Sequence, residues 1–600
     1  MTDTLINRRD LAFQLYEVMD TEALVQRERF REHNKETFDA VIEMADRLAR
    51  DKFANHNRLA DKEEPQLVDG RIEMRPEVKE AFDAYAEAGF LAARYDYDAG
   101  GMQLPESVMA ACNGFFAAAN PGTAGYPFLT AAAANLIRVF GNEAQKKTFL
   151  PAMLNGRFSG TMALTEPHAG SSLADIRTSA TPTDDSHYLI KGAKLYISGG
   201  DQGMTDNIVH LVLAKIKGAP AGVRGISLFI VPKYHVDEDG NLGDRNGVNL
   251  AGLIHKLGYR GTTSTALSFG DDAPCQGYLV GEPHQGLKYM FQMMNEARVG
   301  VGFGAAAIGY RGYMHSLEYA KGRLQGRKAS DKDPQSPQVP IIEHADVRRM
   351  LLAQKAYCEG GLALCLYGAR LMDDQHSHPE EQKRQEAGKL LDLLTPVIKA
   401  WPSEYGVKAN DLAIQVYGGA GYTREYPAEQ CWRDNRLNAI HEGTNGIQAL
   451  DLLGRKIWQD QSHGLQLLMQ EMQVDLQAAT ADRCQQWALS LSETLQQAVK
   501  VTQSLGKSLM DGELERPLAN ASCYLHLFGN IVVAWMWLRQ ANVAANALPS
   551  ANSDAERHFY QGKLQAAQYF FHWELPTVAQ DLVLLRNQDD TCLNMQPDWF

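Results

Sequence analysis

The spacing of apolar residues changes character twice along this 600-residue chain, and that switch limits the fold more than any other feature. Up to about residue 158 the apolar positions recur every three to four residues. ERFREHNKETFDAVIEMADRLARDKF, PEVKEAFDAYAEAGF, SVMAACNGFFAAA, FLTAAAANLIRVFG and NEAQKKTFLPAML show it, with Gly, Pro and Asn between the runs. From about Ser159 the runs shorten and become β-rich: SHYLIKGAKLYISGG, NIVHLVLAKI, GISLFIVPK, TALSFGDDAP and CQGYLVG. No helix-length segment separates them, which predicts an antiparallel β-domain and excludes a βαβ succession. Helical spacing returns at Gly286 and runs to about Trp458, interrupted by a polar stretch at 326–340 that reads as an exposed loop. The expected class is α+β, mainly α. An N-terminal helical domain (1–158) precedes a central antiparallel β-domain (159–285), a C-terminal four-helix-bundle domain (286–460) and an extra helical domain (461–600).

A formal charge of −14 argues against nucleic acid as a partner, because phosphate binding draws on clustered Lys and Arg. The eight cysteines are scattered, without a CxxC pair or zinc-ligand spacing, so free thiols and no metal site are expected. The polar start MTDTLINRRDLAFQLYEVMD lacks the apolar run of a signal peptide. The longest apolar stretch, 525–538, contains His526, Gly529 and Asn530 and is too short to span a bilayer. A cytoplasmic protein is the expectation.

Three segments carry chemistry. In MALTEPHAGSSLADIRTSA (162–180), Thr165, Ser171 and Ser172 offer hydroxyls and Gly170 permits close main-chain approach to a flat ligand; a surface turn is the plain alternative. In KLYISGG (194–200), Tyr196 and Ser198 alternate onto one face of a strand and suit one side of a flat ring, as many β-cores also do. In QVYGGAGYTREYPAEQCWRDNRLNAIHEGTNGIQALDLLGRK (415–456), Gly418, Gly419 and Gly421 end a helix. Glu442 then stands in a short HEGTNG loop before another helix. Gly443 removes bulk beside the carboxylate, and Thr444 caps that helix or bonds a ligand.

Together these segments resemble the acyl-CoA dehydrogenase family, over about residues 80 to 458. TEPHAGSS stands for the family's TEPxAGSD-like stretch, KLYISGG for KxWITNG, and QVYGGAGY…EYP…RD…I.EGT for QxxGGxGY…YP…RD…IYEGT. The length, the start and the helical extension resemble the bacterial subgroup that includes 3-methylmercaptopropionyl-CoA and larger fatty acyl-CoA dehydrogenases. The resemblance implies FAD as cofactor, with Met162, Leu164, Thr165, Ser171, Tyr196, Ile197 and Ser198 around the flavin ring. It implies that Arg323, Gln325, Gln415, Gly418 and Gly419 reach the FAD of a neighbouring subunit, hence a homodimer, and that Thr444 contacts FAD within its own subunit. Ser171, Asn295, Arg298 and Gly443 would meet the acyl-CoA substrate. Glu442 would be the base that removes the α-proton as the flavin takes hydride, giving trans-2-enoyl-CoA in the manner of fatty acid β-oxidation. An electron-transfer flavoprotein would be the acceptor.

The departures are Tyr196 for Trp, Ser172 for Asp, and His441 where Tyr usually precedes the catalytic Glu. They leave the reaction intact and bear on pocket shape and substrate. GFGAAA (302–307) fits a dinucleotide spacing but lies inside a helical pattern, so close helix packing accounts for it better. Glu296 is the rival base, yet the alternative family position matches Ala297, and one residue turns a helical side chain by about 100°. An acyl-CoA oxidase and a scaffold lacking catalysis are the competing functions, and a 3-methylmercaptopropionyl-CoA dehydrogenase is the narrower alternative. Trp535, Trp537, Phe570, Phe571 and Trp573 in the extension would serve either a helical core, which is favoured, or peripheral membrane contact.

Overall fold

The computed structural model describes residues 5–600, without the side chains of 292–294. By contact it divides into two units that cut across the consecutive stretches read from the sequence. One comprises 39–104 and 115–297; the other comprises 5–38, 105–114 and 298–600.

The first unit is built on a strand that is apolar on both faces. An eight-stranded sheet contains β1 (Phe158–Ala163), β2 (Ser179–Pro182), β3 (Tyr188–Ser198), β4 (Asn207–Ile216), β5 (Ile226–Pro232), β6 (Val248–Leu253), β7 (Ser264–Phe269) and β8 (Gln276–Leu279). Its order is β6-β7-β3-β8-β5-β4-β1, with β2 against β3 and β4. Val209, Leu211 and Leu213 of β4 pack with Ile137, Phe149 and Met153 from the helices α1 (Pro121–Phe140) and α2 (Glu143–Leu154). Val212 and Ala214 face the other way, onto Ile190, Phe229, Leu267 and Phe269. This double burial explains why NIVHLVLAKI reads as a continuous apolar run. The pairings are antiparallel except at β1–β4 and β2–β4, which are parallel. Parallel neighbours need a long return connection, and for β1 the intervening β2 and β3 provide it without a crossover helix.

The second unit is helical. It contains the C-terminal part of α3 (Gly286–Gly322), then α4 (Ala345–Ser377), α5 (Glu381–Tyr417), α6 (Asn445–Gly454), α7 (Asp482–Met510), α8 (Ala521–Ala547), α9 (Asp554–Tyr569) and α10 (Val578–Asn587). GFGAAA lies within α3, and its first glycine serves packing: a Cβ on Gly302 would stand 2.0 Å from the Ile398 carbonyl oxygen, and further along the helix one on Gly309 would stand 3.1 Å from Cα of Gly406. The apolar run 525–538 belongs to the 27-residue helix α8, which by length and composition is sufficient to cross a membrane. The length argument therefore gives way to burial: 78% of its most apolar window is covered within the fold. Of the five aromatic residues singled out in the extension, Trp535, Trp537, Phe570 and Phe571 are buried in the core and Trp573 is exposed. Trp537 donates to the Ala356 carbonyl at 3.1 Å and lies over Gly360, where a Cβ would meet its indole nitrogen at 2.7 Å.

Buried polar contacts explain why the N-terminal segments join this unit. Lys563 of α9, fully buried, bonds Asp10, Glu359 (2.8 Å) and Gln540 (3.1 Å), and Tyr310 donates to Asp10 at 3.1 Å. Asp373 accepts from the backbone N–H groups of Glu106 (2.6 Å) and Ser107 (3.0 Å) and from the Ser107 hydroxyl (2.7 Å), capping the helix Glu106–Ala119 from another element. Burial pushes this carboxyl up to about 7. Lys563→Met would leave Asp10 and Glu359 buried without their shared cation. The expected cost is about 3–5 kcal/mol, read as a lower midpoint in urea unfolding.

Candidate active site

The HEGT turn is held in a conformation its residues do not prefer. Glu442 has φ +54° and Gly443 φ +86°, two consecutive left-handed residues. Such a conformation in a non-glycine residue persists where the surroundings over-determine it. Downstream, Gln448 Nε2 donates to the carbonyls of Glu442 (3.1 Å) and Gly443 (3.3 Å). Thr444 caps α6 by accepting from the Ile447 N–H at 3.3 Å. φ requires a glycine at 443, and a Cβ there would lie 2.7 Å from Gln448 Nε2 and displace the amide that braces the turn. Upstream, the His441 ring meets Asn438 Oδ1 at 3.0 Å, and the main-chain N–H of His441 donates to the Leu437 carbonyl at 3.2 Å.

Two cations oppose the cost of burying the Glu442 carboxylate. Burial raises its pKa above the ordinary 4.5, and the charges of Arg298 and Lys399 pull it back. Arg298, on α3, is 3% exposed and stands 3.6 Å from Asp451. Lys399, from the middle of α5, is fully buried and donates to Asn445 Oδ1 at 3.2 Å. Burial lowers the Lys399 ammonium to about 7, against the raising influence of Glu442. Lys399 is a site residue the sequence reading missed; a lysine among Leu, Val and Ile on an otherwise buried helical stretch was the available signal. The His441 imidazole is pushed down to about 3 by burial and by Lys399. It is therefore neutral at physiological pH and a weak proton acceptor.

In the other unit, the TEPHAG and KLYISGG segments are bonded to one another. The Leu195 N–H donates to the Thr165 carbonyl at 2.9 Å. Lys194 donates to the Leu164 carbonyl and to Glu166, both at 2.9 Å, and Glu166 also accepts from the N–H groups of Arg177 (2.6 Å) and Thr178 (3.0 Å). Glu166 and Lys194 are buried, and neither had been singled out from the sequence. Burial lowers Lys194 to about 8, while Lys194 and the N–H groups keep Glu166 below its ordinary value despite burial. A bulge in β3 opposite β7 adds one residue between Lys194 and Ile197. It reverses the strand's alternation: Ile190 and Lys194 are buried, then Ile197. Tyr196, at φ +61° and 62% exposed, and the half-buried Ser198 are thereby turned to the open face. Ile197 packs in the sheet core instead, its carbonyl accepting from Thr265 at 2.9 Å. Met162, Leu164 and Thr165 are half-buried, and Ser171 is exposed.

The remaining predicted residues divide the same way. Asn295 is half-buried in the β-containing unit. Nearby Glu296 accepts from Asn135 at 3.0 Å and pairs with Arg94 at 3.5 Å, so its carboxylate is engaged structurally. Arg323 and Gln325 are exposed on a strip whose backbone is pinned to 339–341. Gln415, Gly418 and Gly419 are exposed at the end of α5, where Gly418 has φ +61°.

Residues 35–157, 161–271 and 284–457 match the profiles described as acyl-CoA dehydrogenase N-terminal, middle and C-terminal domains, and 468–596 match one described as acetyl-CoA dehydrogenase C-terminal like. The chain is 35% identical to the 3-methylmercaptopropionyl-CoA dehydrogenase of Ruegeria pomeroyi, over 94% of each. It is 34% identical to the broad-specificity linear acyl-CoA dehydrogenase FadE5 of Mycobacterium tuberculosis, over 99% of each. The chain belongs to the acyl-CoA dehydrogenase family. Its fold is shared with the FAD complex of an acyl-CoA dehydrogenase from Bacillus anthracis, at a TM-score of 0.74, 21% identity and coverage of 92% of this chain and 89% of that one.

Membership makes the chain a flavoprotein oxidoreductase with FAD as its cofactor. The residues present suit a flat ring. Tyr196 and Ser198 are turned outward by the bulge, and a Cβ at Gly170 would find its nearest neighbour at 4.0 Å, which leaves the main chain there accessible. Gly443→Ala would place a Cβ against Gln448 in a left-handed turn. The expected loss is about 1 kcal/mol or more of stability, with a fall in acyl-CoA turnover larger than the fall in bound FAD.

Proposed function

We propose that this dehydrogenase removes the α-proton of acyl-CoA thioesters with the Glu442 carboxylate and forms trans-2-enoyl-CoA. The observation that carries the reading is the placement of Glu442: half-buried, on a doubly braced left-handed turn, under the influence of two buried cations. A thioester α-C–H is a very weak acid, so the base has to be ionised yet more basic than a carboxylate in water. Burial supplies the basicity, and Arg298 with Lys399 supplies the counter-charge that keeps the group ionised. Once the proton has arrived, the carboxyl is neutral and needs no solvation, which suits a site that excludes water. When bound, FAD accepts the hydride from the β-carbon.

The flavin ring would lie against Met162, Leu164, Thr165, Ser171, Tyr196, Ile197 and Ser198, the last two offering main chain and hydroxyl. Arg323, Gln325, Gln415, Gly418 and Gly419 would serve the FAD of a second copy in a homodimer. Thr444 would meet its own, and Asn295, Arg298, Ser171 and Gly443 the acyl-CoA. An electron-transfer flavoprotein would reoxidise the enzyme. Its relatives are named for a sulfur-containing short acyl group and for linear acyl groups, and we infer a substrate within that span.

Glu442→Gln should leave the protein yellow and able to bind acyl-CoA while flavin reduction falls by about 10³-fold or more; retained reduction overturns the reading. The pH dependence has a definite sign. Glu442 acts ionised and its pKa is raised, so the rate should fall as pH drops through a value above 4.5. Lys399→Met removes one opposing cation and should move that acid limb to higher pH, measured as kcat/KM between pH 5 and 7, where Lys399 carries its charge.

A further inference from the structure

The turn that carries Glu442 is braced downstream by Gln448 and Thr444, and on its upstream side stands the His441 imidazole. That imidazole terminates a chain of buried amides. Asn410 Nδ2 donates to the Ile308 carbonyl at 3.2 Å. Asn435 Nδ2 donates to the Ala305 carbonyl at 3.1 Å and to Asn410 Oδ1 at 2.8 Å. Asn438 Nδ2 donates to Asn435 Oδ1 at 2.9 Å, and His441 Nε2 stands 3.0 Å from Asn438 Oδ1. All three asparagines are buried, Asn410 and Asn435 completely.

The direction of this chain is dictated by its far end. The two α3 carbonyls can only accept, so the amides of Asn410 and Asn435 must present Nδ2 to them. Each Oδ1 must then accept from the next residue, and Asn438 is left offering Oδ1 to the ring. His441 therefore carries its proton on Nε2. Space for the chain is built in: a Cβ on Gly406 would come within 2.7 Å of Asn435 Nδ2, and one on Gly312 within 2.2 Å of Asn410 Nδ2.

We infer that His441 is a positioning residue for Glu442, its tautomer and ring orientation locked by the Asn410–Asn435–Asn438 chain so that the left-handed turn holds the carboxylate on the substrate α-carbon. The inference rests on the reading of Glu442 as the base. A base must be held within a fraction of an ångström of the proton it removes, and a turn strained at Glu442 relaxes if either wall gives way. The neutral ring adds no charge beside the carboxylate, so the anchor leaves the balance set by Arg298 and Lys399 undisturbed. The chain is also one-directional. A donor at position 441 completes it, whereas a side chain without a donor removes its last link to the turn.

The test compares His441→Gln, whose amide N–H can replace the ring donor, with His441→Phe, which keeps a flat ring and no donor, and with Asn438→Leu. Each is purified as the flavin-loaded enzyme. Two quantities are read: α-proton exchange in D2O of an acyl-CoA blocked at the β-carbon, followed by NMR, and kcat and KM with a reducible acyl-CoA. His441→Gln should stay within roughly threefold of the parent. His441→Phe and Asn438→Leu should lose about tenfold or more in exchange and kcat, with KM, FAD content and unfolding midpoint close to the parent. Parent-like exchange in His441→Phe overturns the inference. So does an equal loss in the Gln and Phe variants, or a loss confined to FAD content, KM or folding. Glu442→Gln, run alongside, separates the two readings. If it still exchanges the α-proton, the base assignment fails. If it does not and His441→Phe does, only the positioning role fails.

Discussion

Taking the Glu442 carboxylate out of water costs far more than a surface ion pair returns, and the helical unit is arranged around that cost. Arg298 and Lys399 come from two long helices, α3 and α5, that approach closely because Gly302 and Gly309 bring their backbones together. Lys399 is itself so deeply buried that its ammonium is lowered to about 7, so it needs Glu442 as much as Glu442 needs it. The same interhelical approach places the α3 carbonyls within reach of Asn410 and Asn435. Charge balance and loop geometry at Glu442 thus share one origin, the tight packing of α3 against α5.

The extension is joined to this framework by the same kind of device. Lys563 sits between Asp10 and Glu359, tying the chain's first segment, α4 and α9 together through fully buried charge. Trp537 lies over Gly360 and reaches the Ala356 carbonyl, so α8 is core to the unit and its apolar length is spent on packing. A buried ion cluster is costly to form and more costly to break singly, which makes the contact specific to one register of the helices.

Much of this was legible from local pattern. The change from three-to-four spacing to short β-rich runs marks where the sheet begins and ends, because burying one helix face or both faces of a strand imposes those periods directly. GFGAAA is helical for the same reason. The position of Glu442 before the α6 cap and the space at Gly443 follow from neighbouring residues alone. Tyr196 shows where local pattern stops: strict alternation would bury it beside Ile190 and Lys194, and only the bulge against β7 turns it outward.

By itself, then, the sequence determined the class of fold and the three chemical segments, since each depends on periodicity or on residues within a few positions of one another; the proposal of Glu442 as base came from the resemblance that those segments carry. Tertiary structure decided the rest. Lys399 is 43 residues before Glu442, Glu166 is 28 residues before Lys194, and Asn410 donates to the Ile308 carbonyl 102 residues away. Burial, charge pairing and the direction of an amide chain are properties of what surrounds a side chain in space. None of them is expressed until distant helices and strands have packed.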